Sequence, residues 1–266
     1  LKKVKFISFL LVLMLIIAGC ANEKSSTAQP KTTKVQGEKV EMTISAAISL
    51  TDALEEIKGV YESEHNVKLT YILGGSGKLA QQIQQGAPVD VFFSANQDWM
   101  DTLEKEDLIV NETRQDITGN KIVLITGKSS AINYKSIDEI AADDIEQIAI
   151  GNPESVPAGQ YTEQLLQKLD KWSTLENKIV LAQDVRQVLT YVETGNVDIG
   201  FVYESDAITS KEIKVLATAD SSLHDPIIYP AAVLKDTKHE QQASEFVKFM
   251  TTDKAQAILE KHGFRK

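Results

Sequence analysis

The sequence predicts an α/β protein whose strands are mainly parallel, and three observations carry that reading. From Val40 onward, short apolar strands alternate with stretches of helical periodicity, the pattern of strands joined by helical crossovers. Gly74-Gly75-Ser76-Gly77, Pro153 and Pro157, and Gly195 punctuate the handovers between them. With 266 residues, 42% of them hydrophobic, the chain can build one large or two medium domains with real cores.

The first apolar strand runs from Val40 to Ala47 and hands over to an amphipathic helix from Leu50 to about Tyr61. Val67 to Leu73 is a strand rich in β-branched residues, broken by the glycine-rich turn. A helix then carries Leu79, Ala80 and Ile83 on one face. Val89 to Phe93 is a short buried strand, followed by a helix from about Asn96 to Glu104. Lys121 to Thr126 is a strong strand, and a weaker helix near Ser136 to Ala142 leads to the strand Gln147 to Gly151. Pro157 can open the next helix, because the N–H it lacks is one that the first turn does not need. That helix carries Tyr161, Leu165, Leu166 and Leu169. After the strand Lys178 to Ala182, Asp184 begins a helix with Val185, Val188, Leu189 and Val192 on one face and Gly195 as its stop. Val197 to Tyr203, Ile213 to Ala217 and Ile227 to Leu234 are strands. Two helices, about Glu240 to Met250 and Lys254 to His262, close the chain, and there is no internal repeat.

Charge narrows the partners. The net charge is −10 at pH 7, so no basic field is available to neutralise nucleic-acid phosphates. Residues 1–19 read as a lipoprotein signal peptide. Lys2, Lys3 and Lys5 form its charged start, and Phe6 to Ala18 is an apolar run too short for a comfortable membrane span. The run ends Ile17-Ala18-Gly19-Cys20, which resembles a bacterial lipobox and implies cleavage before Cys20 and lipidation of its sulfur and new amino group. The plain alternative is a secretory signal with an incidental cysteine. Acyl chains, at ~0.8 kcal/mol per buried CH₂, would then hold the protein on a membrane surface without a spanning helix. Cys20 is the only cysteine, which excludes an intramolecular disulfide and a cysteine metal cluster. Residues 20–39 read as the lipidated cysteine and a solvated, flexible tether, with no aromatic residue and Val35 as the one branched aliphatic.

Several chemistries fail on spacing. A phosphate-binding P-loop needs Gly-x₄-Gly-Lys followed by Ser or Thr, and here Lys78 is followed by Leu79 while Ile72 stands where the first glycine belongs. A nucleophile elbow needs Gly-x-Ser-x-Gly; Gly74 and Ser76 fit, but the closing position is Lys78. The histidines, His65, His224, His239 and His262, all stand in polar contexts expected to be exposed, so a serine hydrolase built on Ser76 or Ser49 lacks a base. No His or Cys pair has metal-ligand spacing. Tyr191 and Tyr203 lack the His, Asp or Glu partners that an iron site would add.

What remains is a set of helix mouths. Ser49, Ser76, Ala158 after Pro157, and Val185 after Asp184 each fall at a strand-to-helix junction, where an open α/β sheet binds its ligands. Ser49 at such a junction reads as a helix cap. Four sets of first-turn N–H groups, with the Ser49 and Ser76 hydroxyls, could hold an anion without Lys or Arg, even in an acidic protein. A site made only of donors favours a fully ionised oxyanion over one that carries a proton and needs an acceptor. Spacing alone leaves this reading level with the plainer one, ordinary caps facing water.

The chain resembles the molybdate-binding proteins that feed ABC importers. The matching stretches are Ala46-Ala47-Ile48-Ser49-Leu50-Thr51-Asp52-Ala53-Leu54, then Gly86 to Asn96, then Gly151-Asn152-Pro153 with Val156-Pro157-Ala158-Gly159. Gln183-Asp184-Val185-Arg186, Gly200-Phe201-Val202-Tyr203-Glu204-Ser205-Asp206-Ala207 and Lys261-His262-Gly263-Phe264 follow in order, so the resemblance spans nearly all of residues 40–266. It implies a two-lobed fold of the type II periplasmic-binding-protein kind, each lobe a mainly parallel sheet flanked by helices, with a two-strand hinge. The lobes would be 40–119 plus 228–266, and 120–227. It implies ligand contacts from Ser49, Ser76, Ala158, Val185 and Tyr203, with the serines and Tyr203 donating through hydroxyls and backbone N–H groups adding the rest. It further implies capture of molybdate, and tungstate with it, on the extracytoplasmic face, by a lipid-anchored monomer with no cofactor and no enzymatic activity, for an ABC permease that recognises the closed form. Sulfate, another tetrahedral oxyanion, is the alternative ligand. The family's run of serines is here Gly74-Gly75-Ser76-Gly77, a departure that predicts a more flexible loop.

Overall fold

Two five-stranded sheets organise residues 39–266, the part of the chain that the computed structural model describes. The expected signal peptide, Cys20 and the tether up to residue 38 lie outside the described residues. In chain order the first sheet's run comprises β1 (Val40–Ala47), α1 (Thr51–Glu64), β2 (Val67–Gly74), α2 (Ser76–Gln84), β3 (Val91–Phe93), α3 (Gln97–Lys105) and β4 (Gln115–Gly119). The chain then crosses to β5 (Ile122–Gly127), β6 (Ile148–Gly151), α4 (Pro157–Lys168), α5 (Trp172–Leu175), β7 (Ile179–Ala182), α6 (Val185–Glu193), β8 (Ile199–Tyr203), α7 (Glu204–Ala207) and β9 (Ile213–Thr218). It returns through β10 (Ile228–Val233) and ends in α8 (Glu240–Met250) and α9 (Asp253–Lys261).

The strand orders are β2-β1-β3-β10-β4 and β7-β6-β8-β5-β9. In each sheet one strand runs against the other four: β10 is antiparallel to β3 and β4, and β5 is antiparallel to β8 and β9. These reversed strands are the ones that the chain enters directly after crossing between lobes, so both sheets are mixed although most of their strands point the same way. The two crossings, β4 to β5 and β9 to β10, form the link between the lobes.

Local pattern explains most elements. On α1, Ala53, Leu54, Ile57 and Tyr61 recur at helical spacing and are buried. On α6 the buried stripe is Val185, Val188, Leu189 and Val192. One apolar core runs through both lobes, and a second cluster, including Leu79, Ile83, Phe92, Met100 and Leu103, lies where α2 and α3 cover the first sheet. The segment expected as a helix near Ser136 to Ala142 instead forms two single 3-10 turns, Ile137–Glu139 and Ala142–Asp144. Its buried isoleucines stand at 137, 140 and 145, but Ala141 and Asp144, which a helix would turn to the same face, are exposed, so no continuous helical stripe meets the core. Among the described residues, no helix is long and apolar enough to cross a membrane.

Candidate functional site

The carboxyl ends of six parallel strands, three from each sheet, turn toward one cleft. β1, β2 and β3 deliver Ala47 to Ser49, Gly74 to Ser76 and Ala95; β6, β7 and β8 deliver Val156 to Ala158, Val185 and Tyr203. All these residues line one small cavity, so the structure brings Ser49, Ser76, Ala158, Val185 and Tyr203 together. The cavity is small, which suits a compact solute and not an extended one. Among the described residues, no charged side chain lines it.

Three helix starts face this cavity. Ser76 and Val185 are the first residues of α2 and α6, and Ala158 is the second of α4, behind Pro157. First-turn N–H groups have no acceptor within their own helix and carry the positive end of the helix dipole. The α6 start is set by Asp184, whose carboxylate accepts a 2.9 Å bond from Gln187 N–H. The caps expected from the serines differ from this. Ser49 lies inside a 3-10 turn, Ile48–Leu50, that runs into α1, and neither Leu50 ahead of α1 nor Gly75 ahead of α2 makes a side-chain cap. The two serine hydroxyls are engaged elsewhere.

Those engagements orient their protons. Ser76 Oγ accepts a 2.9 Å bond from Ala95 N–H, which leaves its own proton free to donate. Ser49 Oγ lies 3.0 Å from the Tyr229 hydroxyl. Asn120 Nδ2 donates to Tyr229 at 3.3 Å, and its Oδ1 accepts from Lys121 N–H at 2.9 Å, so the orientation of this amide is defined. With Tyr229 accepting from Asn120, its own proton is available to Ser49, and in that arrangement Ser49 keeps its proton for the cavity. The Tyr203 hydroxyl is buried and has no hydrogen-bond partner among the described residues. Burial, with Tyr229 beside it, pushes the Tyr203 phenol well above its ordinary range and keeps it a donor.

The lobes are bonded to each other around the cavity. Gly77 N–H donates to Ser155 O across the cleft at 2.9 Å. Gln160 of α4 accepts from Asn96 Nδ2 at 2.9 Å and donates to Asp98 at 2.7 Å. The turn expected to be loose is therefore clamped, and its glycines have a steric role. A Cβ on Gly77 would lie 2.7 Å from Ser155 O and 2.5 Å from the Trp99 ring, while one on Gly75 would lie 2.9 Å from Gln183 O.

None of the four histidines lines the cavity, and neither serine hydroxyl is bonded to one. The expectation of exposure is corrected for all four: His65, His239 and His262 are half-buried, and His224 is buried, with Nδ1 2.7 Å from Asp225 O and its ring beside Tyr161. Among the described residues, no group of three or more His, Cys, Asp and Glu could hold a metal ion. One charged cluster at the cleft was not foreseen. Arg186, directly after Val185, binds Asp206 within its own lobe and Asp52 in the other.

Residues 42–265 match the family described as bacterial extracellular solute-binding protein. The chain belongs to that family. This solute-binding protein is 43% identical over 264 residues to YvgL of Bacillus subtilis (strain 168), provisionally named an ABC transporter substrate-binding lipoprotein, covering 99% of this chain and 98% of that one. It is 37% identical over 227 residues to the molybdate-binding protein ModA of Escherichia coli (strain K12), covering 84% and 88%. The structure of the periplasmic molybdate-binding protein of Azotobacter vinelandii matches with a TM-score of 0.76 at 26% identity, covering 85% of this chain and 99% of that one. The two-lobed α/β fold is thus the fold of this solute-binding family.

Proposed function

We propose that this protein captures molybdate, and tungstate with it, in the cavity between its lobes and delivers it to the permease of an ABC importer. The observation that carries the reading is the Tyr203 hydroxyl, a buried donor without a partner at the edge of a cavity that also gathers three helix starts and two serine hydroxyls. A buried donor left unsatisfied costs about 1–3 kcal/mol, and an anion in the cavity offsets that cost. Ser49, Ser76 and Tyr203 donate through hydroxyls, and the backbone N–H groups at Ala158 and Val185, with those near the serines, complete the set. The cavity lining holds no carboxylate to accept a proton from the ligand, which favours a fully ionised tetrahedral dianion over hydrogen phosphate. The same absence of any charged side chain makes the helix dipoles and hydroxyls the whole of the attraction.

The identities to molybdate-binding relatives and the lipoprotein name of the Bacillus relative support this assignment and extend it. Acyl chains on Cys20 would anchor the protein on the outer face of the cell membrane. It would act there as a monomer, without cofactor or catalysis. The lobes of residues 40–119 plus 228–266 and of residues 120–227 would part to admit the anion and close to present it. A ligand bonded to both lobes favours the closed form by its differential affinity for that form.

Titration calorimetry of the purified protein with molybdate, tungstate, sulfate and phosphate tests the assignment. Molybdate and tungstate are expected to bind tightly, sulfate more weakly and phosphate least. Sulfate bound as tightly as molybdate would sink the specific assignment and leave a general oxyanion carrier.

A further inference from the structure

We propose that Arg186 and Asp52 form a strut that holds the lobes shut over the bound anion, with Asp206 fixing the arginine from behind. The inference rests on the reading that an anion binds between the lobes, and it assigns the closing force to residues outside the cavity lining. Two ion pairs among the described residues join the lobes, Arg186–Asp52 and Arg265–Glu204. The second sits at the crossing itself, where Arg265 and Gly119 exchange backbone bonds of 2.7 and 2.9 Å, so hinge motion need not break it. The first lies on the cavity side. Asp52 stands three residues beyond Ser49 at the start of α1, and Arg186 stands one residue beyond Val185 at the start of α6. The ion pair therefore ties the start of α1, just beyond the cavity-lining Ser49, to the start of α6, which lines the cavity from the opposite lobe.

The guanidinium is built to switch at one contact only. Its Nε donates to Asp206 Oδ1, and its Nη1 donates to Thr209 Oγ1 at 3.2 Å; both acceptors belong to its own lobe. Thr209 in turn donates to the Asp206 carbonyl at 2.7 Å. Opening leaves all of these intact and breaks only the Nη2 bond to Asp52. Arg186 thus waits in the open form already oriented and already neutralised by the buried Asp206, and it loses little side-chain entropy on closing. The Asp52 side chain is 43% exposed and that of Arg186 22%, so the pair is partly screened by water and its contribution is modest.

The test is the release of labelled molybdate into excess unlabelled anion, from the wild-type protein and from Asp52→Ala, Asp52→Glu and Asp52→Ala in raised salt. Asp52→Ala is expected to release about fivefold faster, with association nearly unchanged and the ligand-free melting temperature held. Asp52→Glu should recover most of the slow release. Salt should speed release from the wild type and leave Asp52→Ala nearly unaffected, because only the wild type has the Arg186–Asp52 pair on the cavity side to screen, while Arg265–Glu204 at the crossing is common to both. Equal release rates for wild type and Asp52→Ala would overturn the strut while leaving the anion site standing, as would a faster release matched by a fall in ligand-free stability. A wild-type protein that holds no molybdate would overturn both.

Discussion

Tyr203 and Ser76 border the same cavity, yet their hydroxyls do different work in the fold. Tyr203 OH has no hydrogen-bond partner among the described residues, whereas Ser76 Oγ also satisfies Ala95 N–H. Replacing each should therefore separate binding from stability. Tyr203→Phe removes a donor to a charged acceptor and is expected to weaken molybdate binding by ~1.5–3 kcal/mol without lowering ligand-free stability, since the buried hydroxyl that it removes is unsatisfied. Ser76→Ala is expected to weaken binding similarly and also to destabilise the ligand-free protein by ~1–3 kcal/mol, because Ala95 N–H loses its acceptor. Calorimetry and urea unfolding of both variants check this. Unchanged affinity in both would mean that the hydroxyls do not touch the ligand. The residue scale is where the sequence was least complete. It singled out Ser49 and Ser76 as junction residues but assigned Ser49 a cap, because the partner of Ser49, Tyr229, lies 180 residues away, and that of Ser76, Ala95, lies 19 away. The Arg186–Asp52 pair, 134 residues apart, left no local signal at all.

At the scale of elements, the site depends on where helices start. Asp184 and Pro157 announced α6 and α4 in the sequence because each acts locally, one by accepting Gln187 N–H and the other by lacking an N–H that the first turn never uses. Asp184→Ala is expected to cost ~1 kcal/mol of stability through the lost cap. It should also weaken anion binding, because the first turn of α6 that presents the Val185 N–H frays. Hydrogen exchange at the start of α6 would show the fraying, and unaltered protection there would refute it. Other elements were not legible. β4 reads Gln115-Asp116-Ile117-Thr118-Gly119, too polar to register as a strand, and it is fixed by pairing with β10 from the far end of the chain. α5 and α7 have four residues each, shorter than any hydrophobic period can reveal. The reversed direction of β5 and β10 was equally hidden, since it follows from the crossing between lobes and not from any residue in either strand.

At the scale of the whole molecule, the fold of the second lobe buries a carboxylate where it contributes to the pH dependence of stability. Asp206 is fully buried on α7, bonded through Oδ1 to Arg186, while its Oδ2 has no hydrogen-bond partner among the described residues. Burial raises its pKa to about 6, and the Arg186 charge only partly offsets that rise. A carboxyl that binds its proton more tightly in the folded state stabilises the fold below its unfolded pKa, and that contribution is lost as pH rises through the folded value. The window therefore runs from the ordinary carboxyl value of 3.8 up to about 6. The exposed Glu41, Glu56 and Asp220 act in the opposite direction, their pKa values lowered by Lys68, by Lys261 with His262, and by Ser222 respectively. Absolute stability thus mixes both signs, but comparison with Asp206→Asn cancels the exposed groups, which both proteins share. The stability of the wild type relative to Asp206→Asn is expected to fall by about 2 kcal/mol between pH 4 and pH 7. Urea unfolding of the two proteins across that range measures the difference directly. A difference that stays flat, or that grows with pH, would mean that Asp206 is already ionised at the acid end and that Arg186 outweighs its burial.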